Sequence, residues 1–453
     1  MRIDGKFHLS DGLQVRKLIK NAPYKVRSIF DVTSNIYCPG IFQRHYTSSG
    51  TPFLGGADIQ KQSYDSGKYL KESTTPNHEI LAIKKGWTLV TYGGTVGETA
   101  FANRELAKCW VSQHVMRLIP DGIKPGMLYS YLATNEGKML LTTNTYGSVI
   151  PTLNSNSIGE LPIPEFPESF QQEVDDLIQE SARLREEAAD MLEKSKNLLK
   201  EKAGLDNLVS EDYDYYGHRS ADRKVSCFSI KQKEITTTTI NAFNYSRRIL
   251  NTKSKIQSTV PLKEVLLYND VFSTGSFPRV EVSGNNGIML INQSDIFDAI
   301  IKGKRISKRR VKTDNLVEYG EVLIAGVGTL GDSEKFCHVI FANEDLVGQL
   351  VSGEFIRMKT TKEVTSGYLF AWLDTDYGFR LIRNTQAGTK LCRPIPRMLL
   401  EIPVPLIDSD SMQEIDRLVR EAHTKRYQAN CNERKAISMV EKEIESWTTS
   451  KKN

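Results

Sequence analysis

The sequence predicts a mixed α/β (α+β) chain: two tandem domains separated by two long helices that form an antiparallel coiled-coil spacer. Three observations predict this. An internal repeat runs through most of the 453 residues. Each copy of the repeat is followed by a long, proline-free, charged segment. Each of those segments carries an apolar stripe at heptad spacing, the pattern of a coiled-coil seam.

The repeat is legible residue by residue. Gly86, Leu89, Gly94, Thr95 and Gly97 have identical partners 234 positions on, from Gly320 to Gly331. Phe101-Ala-Asn103 recurs as Phe341-Ala-Asn343, and Val111-Ser112 as Val351-Ser352, at an offset of 240. Leu132, Gly137, Gly147, Pro162 and Pro164 match Leu373, Gly378, Gly388, Pro403 and Pro405 at 241. Gly50 and Asp58-Ile59 align with Gly287 and Asp295-Ile296 at 237. Matches that stay in order while the offset drifts by a few residues indicate tandem duplication.

Each copy has the same internal order. Short β-rich runs come first: Thr88–Thr91 and Ala107–Ile119 in copy one, Val322–Ala325 and Val347–Met358 in copy two. Glycine punctuation and β-branched content predict strands there. A helical piece follows, Met127–Leu141 and Tyr368–Ile382, then a glycine-containing loop and a Pro-x-Pro exit, Pro162–Pro164 and Pro403–Pro405. Proline lacks an N–H and holds its neighbour extended, which predicts an extended hinge at each exit.

The domains expected are 21–167 and 228–407, with spacer helices at 168–203 and 408–447. An N-terminal segment (1–20), an irregular linker (204–227) and a tail (448–453) complete the chain. In the first helix Val174, Leu177, Ser181, Leu184, Ala188, Met191, Ser195 and Leu198 step by three and four. The second starts a similar stripe at Ile415, Leu418 and Ala422. Lys425 and Asn432 interrupt it, and Ile437, Val440, Ile444 and Trp447 restart it in a shifted register, as a stutter does. Small seam residues such as Ser181, Ala188 and Ser195 suit close helix approach. The competing reading is two amphipathic helices, each packed on its own domain.

Composition narrows the function classes. Hydrophobic residues are 39% and charged residues 25%, values of a soluble globular protein. No run approaches the ~18 apolar residues of a membrane span, and the start lacks the apolar core of a secretory signal. A cytoplasmic protein that does not engage membranes is expected. The six cysteines show neither a C-x-x-C pair nor zinc spacing, and read as reduced thiols, most of them buried.

Catalytic motifs are weak. Gly326-Val-Gly-Thr-Leu-Gly331 matches G-x-G-x-x-G, but a dinucleotide site needs a helix directly after it. Asp332–Phe341 has no helical stripe, and the duplicate has Tyr92 at the first glycine, so a glycine-rich turn between strands is expected in both copies. Pro120-Asp121 with Glu136-x-Lys138 reads as ordinary surface rather than a metal-nuclease constellation. There is no P-loop, no G-x-S-x-G and no H-E-x-x-H. No catalytic and no metal-binding residues are expected, which favours recognition over chemistry.

The basic signal is local. Ala299–Lys312 carries Lys302, Lys304, Arg305, Lys308, Arg309, Arg310 and Lys312 without one acid. Phosphate neutralisation needs clustered cations of this kind, and arginine reads guanine edges. Arg279, Thr329 and Lys390 join them as DNA-binding candidates in copy two. Copy one offers Arg44, His45, Lys61, Lys68 and Tyr69, with Gly94, Thr95, Tyr146 and Ser148 on glycine loops whose backbone N–H groups can approach phosphate. Those glycines serve equally well as plain turns.

The arrangement resembles the DNA specificity subunit of type I restriction–modification systems over roughly residues 21–447. The residues that carry the likeness are Gly147-Ser-Val-Ile-Pro-Thr-Leu153, the Leu/Ile-Pro-Ile/Val-Pro exits, the Gln172-Glu173 pair and the alternation of domains with helices. The resemblance implies two target-recognition domains, each gripping one half of a split, asymmetric duplex site. The helices would then be a spacer and the docking surface for two DNA methyltransferase subunits, with restriction/translocase subunits joining them in DNA methylation and phage defence. It implies a non-catalytic chain without its own cofactor, S-adenosylmethionine, ATP and Mg belonging to the partners. Copy two departs from the pattern, reading Gly388-Thr-Lys-Leu-Cys-Arg-Pro394. Independently, a 36-residue helix at ~1.5 Å per residue spans about 54 Å, or one to one and a half duplex turns of ~34 Å. The alternatives are the recognition part of another DNA-modifying or phage-defence complex, an enzyme of that kind, or a protein-only scaffold.

The net charge of +5 averages unlike parts. Residues 168–203 carry 10 acids and 6 bases, a net of −4, and residues 408–447 carry 9 and 7, a net of −2. The rest of the chain holds +11, the sign expected of a surface that meets nucleic acid.

Overall fold

Two units of the chain form separate packing centres. One holds the chain up to Glu186 and again from Gln428; the other is Glu187–Tyr427. The computed structural model describes residues 11–93, 95–143, 152–209, 211–213, 227–284 and 286–449, with backbone only for Arg310, Thr448 and Thr449. Gly94, Tyr146 and Ser148 lie outside the described residues.

In the first unit α1 (Asp11–Lys20) precedes β1 (Val26–Ser28). The Pro-x-Pro exit is β9 (Pro162–Pro164), antiparallel to β1 and buried. The predicted extension is present, but as a clamped strand rather than a hinge. A two-stranded ribbon asks for few donors, so it tolerates the prolines. β2 (Thr33–Tyr37), β8 (Val115–Pro120), β5 (Thr88–Thr91) and β6 (Thr99–Phe101) form an antiparallel sheet in that order. A smaller sheet pairs β3 (Thr51–Leu54) antiparallel with β4 (Tyr69–Leu70) and parallel with β7 (Trp110–Val111). Helices α2 (Pro125–Ala133), α3 (Asn135–Thr143) and α4 (Ser155–Gly159) follow, then α5 (Glu168–Lys202).

The second unit repeats this plan. After α6 (Arg247–Ser254), β10 (Thr259–Pro261) pairs with β19 (Pro403–Pro405), the second Pro-x-Pro exit. β11 (Gly287–Ile291) pairs antiparallel with β12 (Lys304–Ser307) and parallel with β15 (Leu350–Val351). β13 (Val322–Ala325) lies between β14 (Val339–Phe341) and β16 (Phe355–Met358). Helices α7 (Ser366–Leu373) and α8 (Asp376–Asn384), a ribbon of β17 (Gln386–Ala387) with β18 (Arg393–Pro394), α9 (Pro396–Leu399) and α10 (Ser409–Thr449) complete it. The departure at Gly388–Pro394 is thus the turn and second strand of that ribbon.

Each helical piece predicted as one, Met127–Leu141 and Tyr368–Ile382, is two helices. Thr134 breaks the first, its Oγ1 accepting the Gly137 N–H at 2.9 Å; Thr375 accepts from Gly378 at 3.1 Å. A Cβ on Gly137 would lie 2.3 Å from the Tyr131 carbonyl oxygen, and one on Gly378 2.5 Å from the Trp372 carbonyl oxygen. The break therefore needs glycine at both places. Asp175 and Asp416 repeat one role: each Oδ1 accepts the N–H of the first-turn glycine of an earlier helix, Gly126 of α2 at 2.6 Å and Gly367 of α7 at 2.8 Å.

The long helices bury a wider face than a heptad seam. Val174, Leu184, Ile415, Leu418, Val440 and Ile444 are buried, while Leu177, Met191, Leu198 and Ile437 are half-buried. Their neighbours Ile178, Leu192 and Leu199 are buried instead. The correction has a packing cause. Val174 and Ile178 belong to the first unit's core with Met127, Leu128 and Phe166; Leu192 and Leu199 belong to the second unit's core with Tyr368 and Val404. Within the first unit α5 also meets α10, Ser181 Oγ donating to the Ala429 carbonyl at 2.9 Å. Within the second, Lys425 reaches Glu187 at 2.8 Å.

All six cysteines are unpaired; Cys109, Cys337 and Cys392 are buried, Cys38 is half-buried, and Cys227 and Cys431 are exposed. No described helix is long and apolar enough to cross a membrane.

Candidate nucleic-acid interface

The repeated small sheets bring scattered candidates to one position. In the first unit Thr51 pairs with Leu70 and Pro52 with Tyr69. In the second Ile288 pairs with Ile306 and Met289 with Arg305. By this register Lys68 and Tyr69 occupy the places of Lys304 and Arg305. Alternation turns Leu70 and Ile306 into their cores and leaves the neighbouring side chain on the other face; Leu70 is fully buried and Ile306 is 1% exposed. Lys304 and Arg305 are exposed, Lys68 and Tyr69 half-buried.

The strand's other side is covered by the same kind of segment in both units. Thr47 N donates to the Tyr69 carbonyl at 3.0 Å, and Val282 N to the Arg305 carbonyl at 3.0 Å. Each segment follows a Phe-x-Arg triplet. Arg44 lies 5.8 Å from the Phe42 ring centroid, and Arg279 lies 5.6 Å from that of Phe277. Guanidinium over ring holds each arginine on its loop by cation–π attraction. The triplets sit 235 positions apart, a signal present in the sequence that pairing Arg44 with Arg279 reveals.

The two units differ in how much of this charge is engaged. Arg44 also donates to Gln113 Oε1 at 2.6 Å and lies 5.2 Å from the Phe53 ring, so it is half-buried. Gln113 contacts His114 at 3.3 Å, and His114 is exposed. Neither Gln113 nor His114 is singled out by the sequence, because the Arg44–Gln113 contact spans 69 residues. His45 is exposed, Lys61 half-buried, and Tyr69 donates to Asp65 at 2.6 Å. In the second unit Lys302, Lys308 and Arg309 are exposed, and Lys304 pairs with Glu281 at 2.6 Å. Arg305 reaches the Gly287 carbonyl at 3.3 Å.

The glycine loops are turns between strands, β5 to β6 and β13 to β14. Gly328 exchanges two hydrogen bonds with Cys392, at 2.7 and 3.2 Å, bringing the exposed Thr329 and Lys390 onto adjoining loops. Thr95 is exposed on the loop of the first unit. Glu136 and Lys138 go to different partners: Lys138 pairs with Glu98 at 3.2 Å, while burial first, then Glu441 and Glu445, raise the Glu136 pKa. Among the described residues no group of His, Cys, Asp and Glu could hold a metal ion.

This geometry defines a class, a protein with one small-sheet strand and one arginine loop repeated on each of two α/β units, the strand basic in the second unit. Residues 21–179 match the family model of the type I restriction modification DNA specificity domain. Similar solved structures include the S subunit of a type-I restriction-modification system from M. genitalium, at 13% identity and a TM-score of 0.38 over 94% of this chain and 96% of that one. The HsdS subunit from Thermoanaerobacter tengcongensis is similar at 11% identity and a TM-score of 0.29, over 94% and 97%. A chain from a structure of type I R-M complex assembly is similar at 15% and 0.29, over 93% and 98%. No curated protein gives a significant match.

Proposed function

We propose that the chain is a non-catalytic, sequence-specific DNA-binding subunit. It reads a bipartite, asymmetric target, one unit per half-site, and directs two methyltransferase subunits, and restriction subunits where present, to that target. One observation carries the reading: residues 21–179, which match the specificity-domain model, have their strand register and their Phe-x-Arg loop repeated in the second unit. Different side chains on one plan suit non-identical half-sites: Tyr69 answers Arg305, and Arg44 is engaged by Gln113. The long helices, meeting antiparallel, serve as spacer and docking surface. S-adenosylmethionine, ATP and Mg act in the partners.

Methylome sequencing of a host with and without the chain tests this directly. A split adenine-methylation motif that vanishes with the chain is expected; an unchanged methylome rejects the reading in favour of a protein-only scaffold. In the purified complex, Arg305, Arg309 and Arg310 changed together to Ala should weaken duplex binding. The slope of log K against log salt should flatten by about 0.9 for each phosphate no longer neutralised. An unaltered slope removes that strand and its turn from the interface.

A further inference from the structure

We propose that the short turn after the parallel strand of each small sheet reads a base, through a hydrogen-bond donor in the first unit and an acceptor in the second. The inference rests on the DNA-binding reading above and names side chains that would set its half-sites. The turns are residues 112–114, between β7 and β8, and 352–354, between β15 and β16. Both hang from their sheets in one way: Ser112 N donates to the Leu54 carbonyl at 2.9 Å, and Ser352 N to the Ile291 carbonyl at 3.0 Å. Both are pinned to the glycine loop in one way: Tyr92 N donates to the His114 carbonyl and Gly326 N to that of Glu354, each at 3.1 Å. Each turn also abuts the segment of the arginine loop. Arg44 reaches Gln113 at 2.6 Å. A Cβ on Gly353 would lie 2.9 Å from the carbonyl oxygen of Gly275, which stands just ahead of Phe277. His114 and Glu354 therefore hold one place in the repeated plan, both exposed, where the glycine loop meets the arginine loop.

A chain of hydrogen bonds fixes what His114 offers. Arginine only donates, so Gln113 turns its amide oxygen to Arg44 and its amide N–H to His114. His114 Nε2, at 3.3 Å, therefore accepts, and the ring proton sits on Nδ1. Gln113 is buried, and Arg44 is held against the Phe42 and Phe53 rings, so the chain has a rigid origin. A Cβ at residue 93 would lie 3.4 Å from Nδ1, and glycine there leaves that edge of the ring uncovered. In the second unit glycine stands where the first has Gln113, and the exposed side chain is a glutamate, whose carboxylate accepts.

Opposite hydrogen-bonding roles at one position are what two unlike half-sites require. In the major groove guanine offers acceptors only, N7 and O6, whereas cytosine offers an amino donor that glutamate can accept. His114, beside Arg44, thus selects guanine in one half-site, and Glu354 selects cytosine in the other. Phosphate repels a carboxylate, so Glu354 suits base reading rather than grip on the backbone.

The test uses the full chain co-expressed with its methyltransferase partners. The methylome gives the motif, and duplexes with each motif position changed in turn measure discrimination. Glu354→Gln should lower the preference for cytosine roughly tenfold at one position of one half-site, and raise that for adenine, the base glutamine pairs with. His114→Phe, which keeps a ring and removes the donor, should lower the preference for guanine by a similar factor in the other half-site. Both side chains are exposed, so melting temperatures should stay at the wild-type value; Glu354→Ala and His114→Ala serve as second variants. A variant with wild-type discrimination at every position overturns the assignment of its turn. Binding weakened equally at all positions overturns it too, since that marks a phosphate contact. A wild-type chain that directs no split motif overturns the DNA reading and this inference with it; a split motif that neither variant alters overturns this inference alone.

Discussion

Arg117 and Arg357 occupy one place in the repeated plan, both fully buried, yet the charge is handled differently. Arg357 meets Glu321 through two hydrogen bonds, at 2.8 and 2.9 Å, and donates to the Leu316 carbonyl. Arg117 donates to the carbonyls of Leu81, Val111, Ser112 and Val115, with Trp87 in the repeat position of Glu321. Burial pushes the Arg117 pKa down to about 10. Removing one partner of a buried pair costs about 3–5 kcal/mol. Glu321→Gln should therefore destabilise the second unit by that order in urea unfolding; a change below 1 kcal/mol would show that the carbonyls alone suffice. His423 gives a pH prediction. It is 4% exposed, with the Phe341 and Phe370 rings at 4.9 and 5.2 Å. Burial, then Arg426, hold its pKa well below 6.5. The folded imidazole stays neutral while the unfolded one takes up a proton below about 6.5. Its contribution to stability is therefore full above that pH and falls, by up to about 1.4 kcal/mol per unit, as pH drops. His423→Phe should flatten this acid-side slope between pH 6.5 and 5; equal slopes in the two proteins would contradict it.

At the scale of elements, α5 and α10 are tied in the first unit by a buried polar cluster. Arg185 reaches Glu433 at 2.5 Å and Asn430 at 2.8 Å, and Tyr129 donates to Glu433. Such groups fix which residues of two helices face each other, at a cost in desolvation. Arg185→Met or Glu433→Leu alone should lose about 3–5 kcal/mol, and the double variant should recover most of it. Additive losses in the double-mutant cycle would show that the two side chains act independently. This cluster also shows where the sequence is silent. Prolines and glycines announced the exits and turns, because their backbone limits are local: Thr88–Thr91 and Val322–Ala325 are strands as predicted. The helix stripe was legible only to within one residue, since Ile178, Leu192 and Leu199 answer to a domain core as well as to the other helix. Parallel pairing of β3 with β7 and β11 with β15 joins segments too far apart for any local pattern. The candidate interface was half legible. Charge pointed to Lys304 and Arg305, but only the strand register sets Lys68 and Tyr69 in the same places.

At the scale of the whole molecule, the proposed reading makes helix length a determinant of the target. The bases read would belong to strands and loops inside each unit, whereas the unspecified gap would belong to α5 and α10. Seven residues preserve a heptad stripe, so inserting one heptad at facing positions of both helices keeps the same side chains on the buried face. The insertion adds about 10.5 Å at ~1.5 Å per residue. At ~34 Å per duplex turn of about ten base pairs, that corresponds to roughly three base pairs. The expected methylome of the lengthened chain keeps both half-sites and widens the gap between them by about that number. A four-residue insertion in one helix alone should instead break the facing contacts, Ser181 with Ala429 and Glu187 with Lys425, and abolish methylation by destabilising the pair. A lengthened chain that methylates the original motif with its gap unchanged would show that the helices hold the partners without measuring the DNA. The two-unit reading of the bases would then stand on the repeated strand and arginine loop alone.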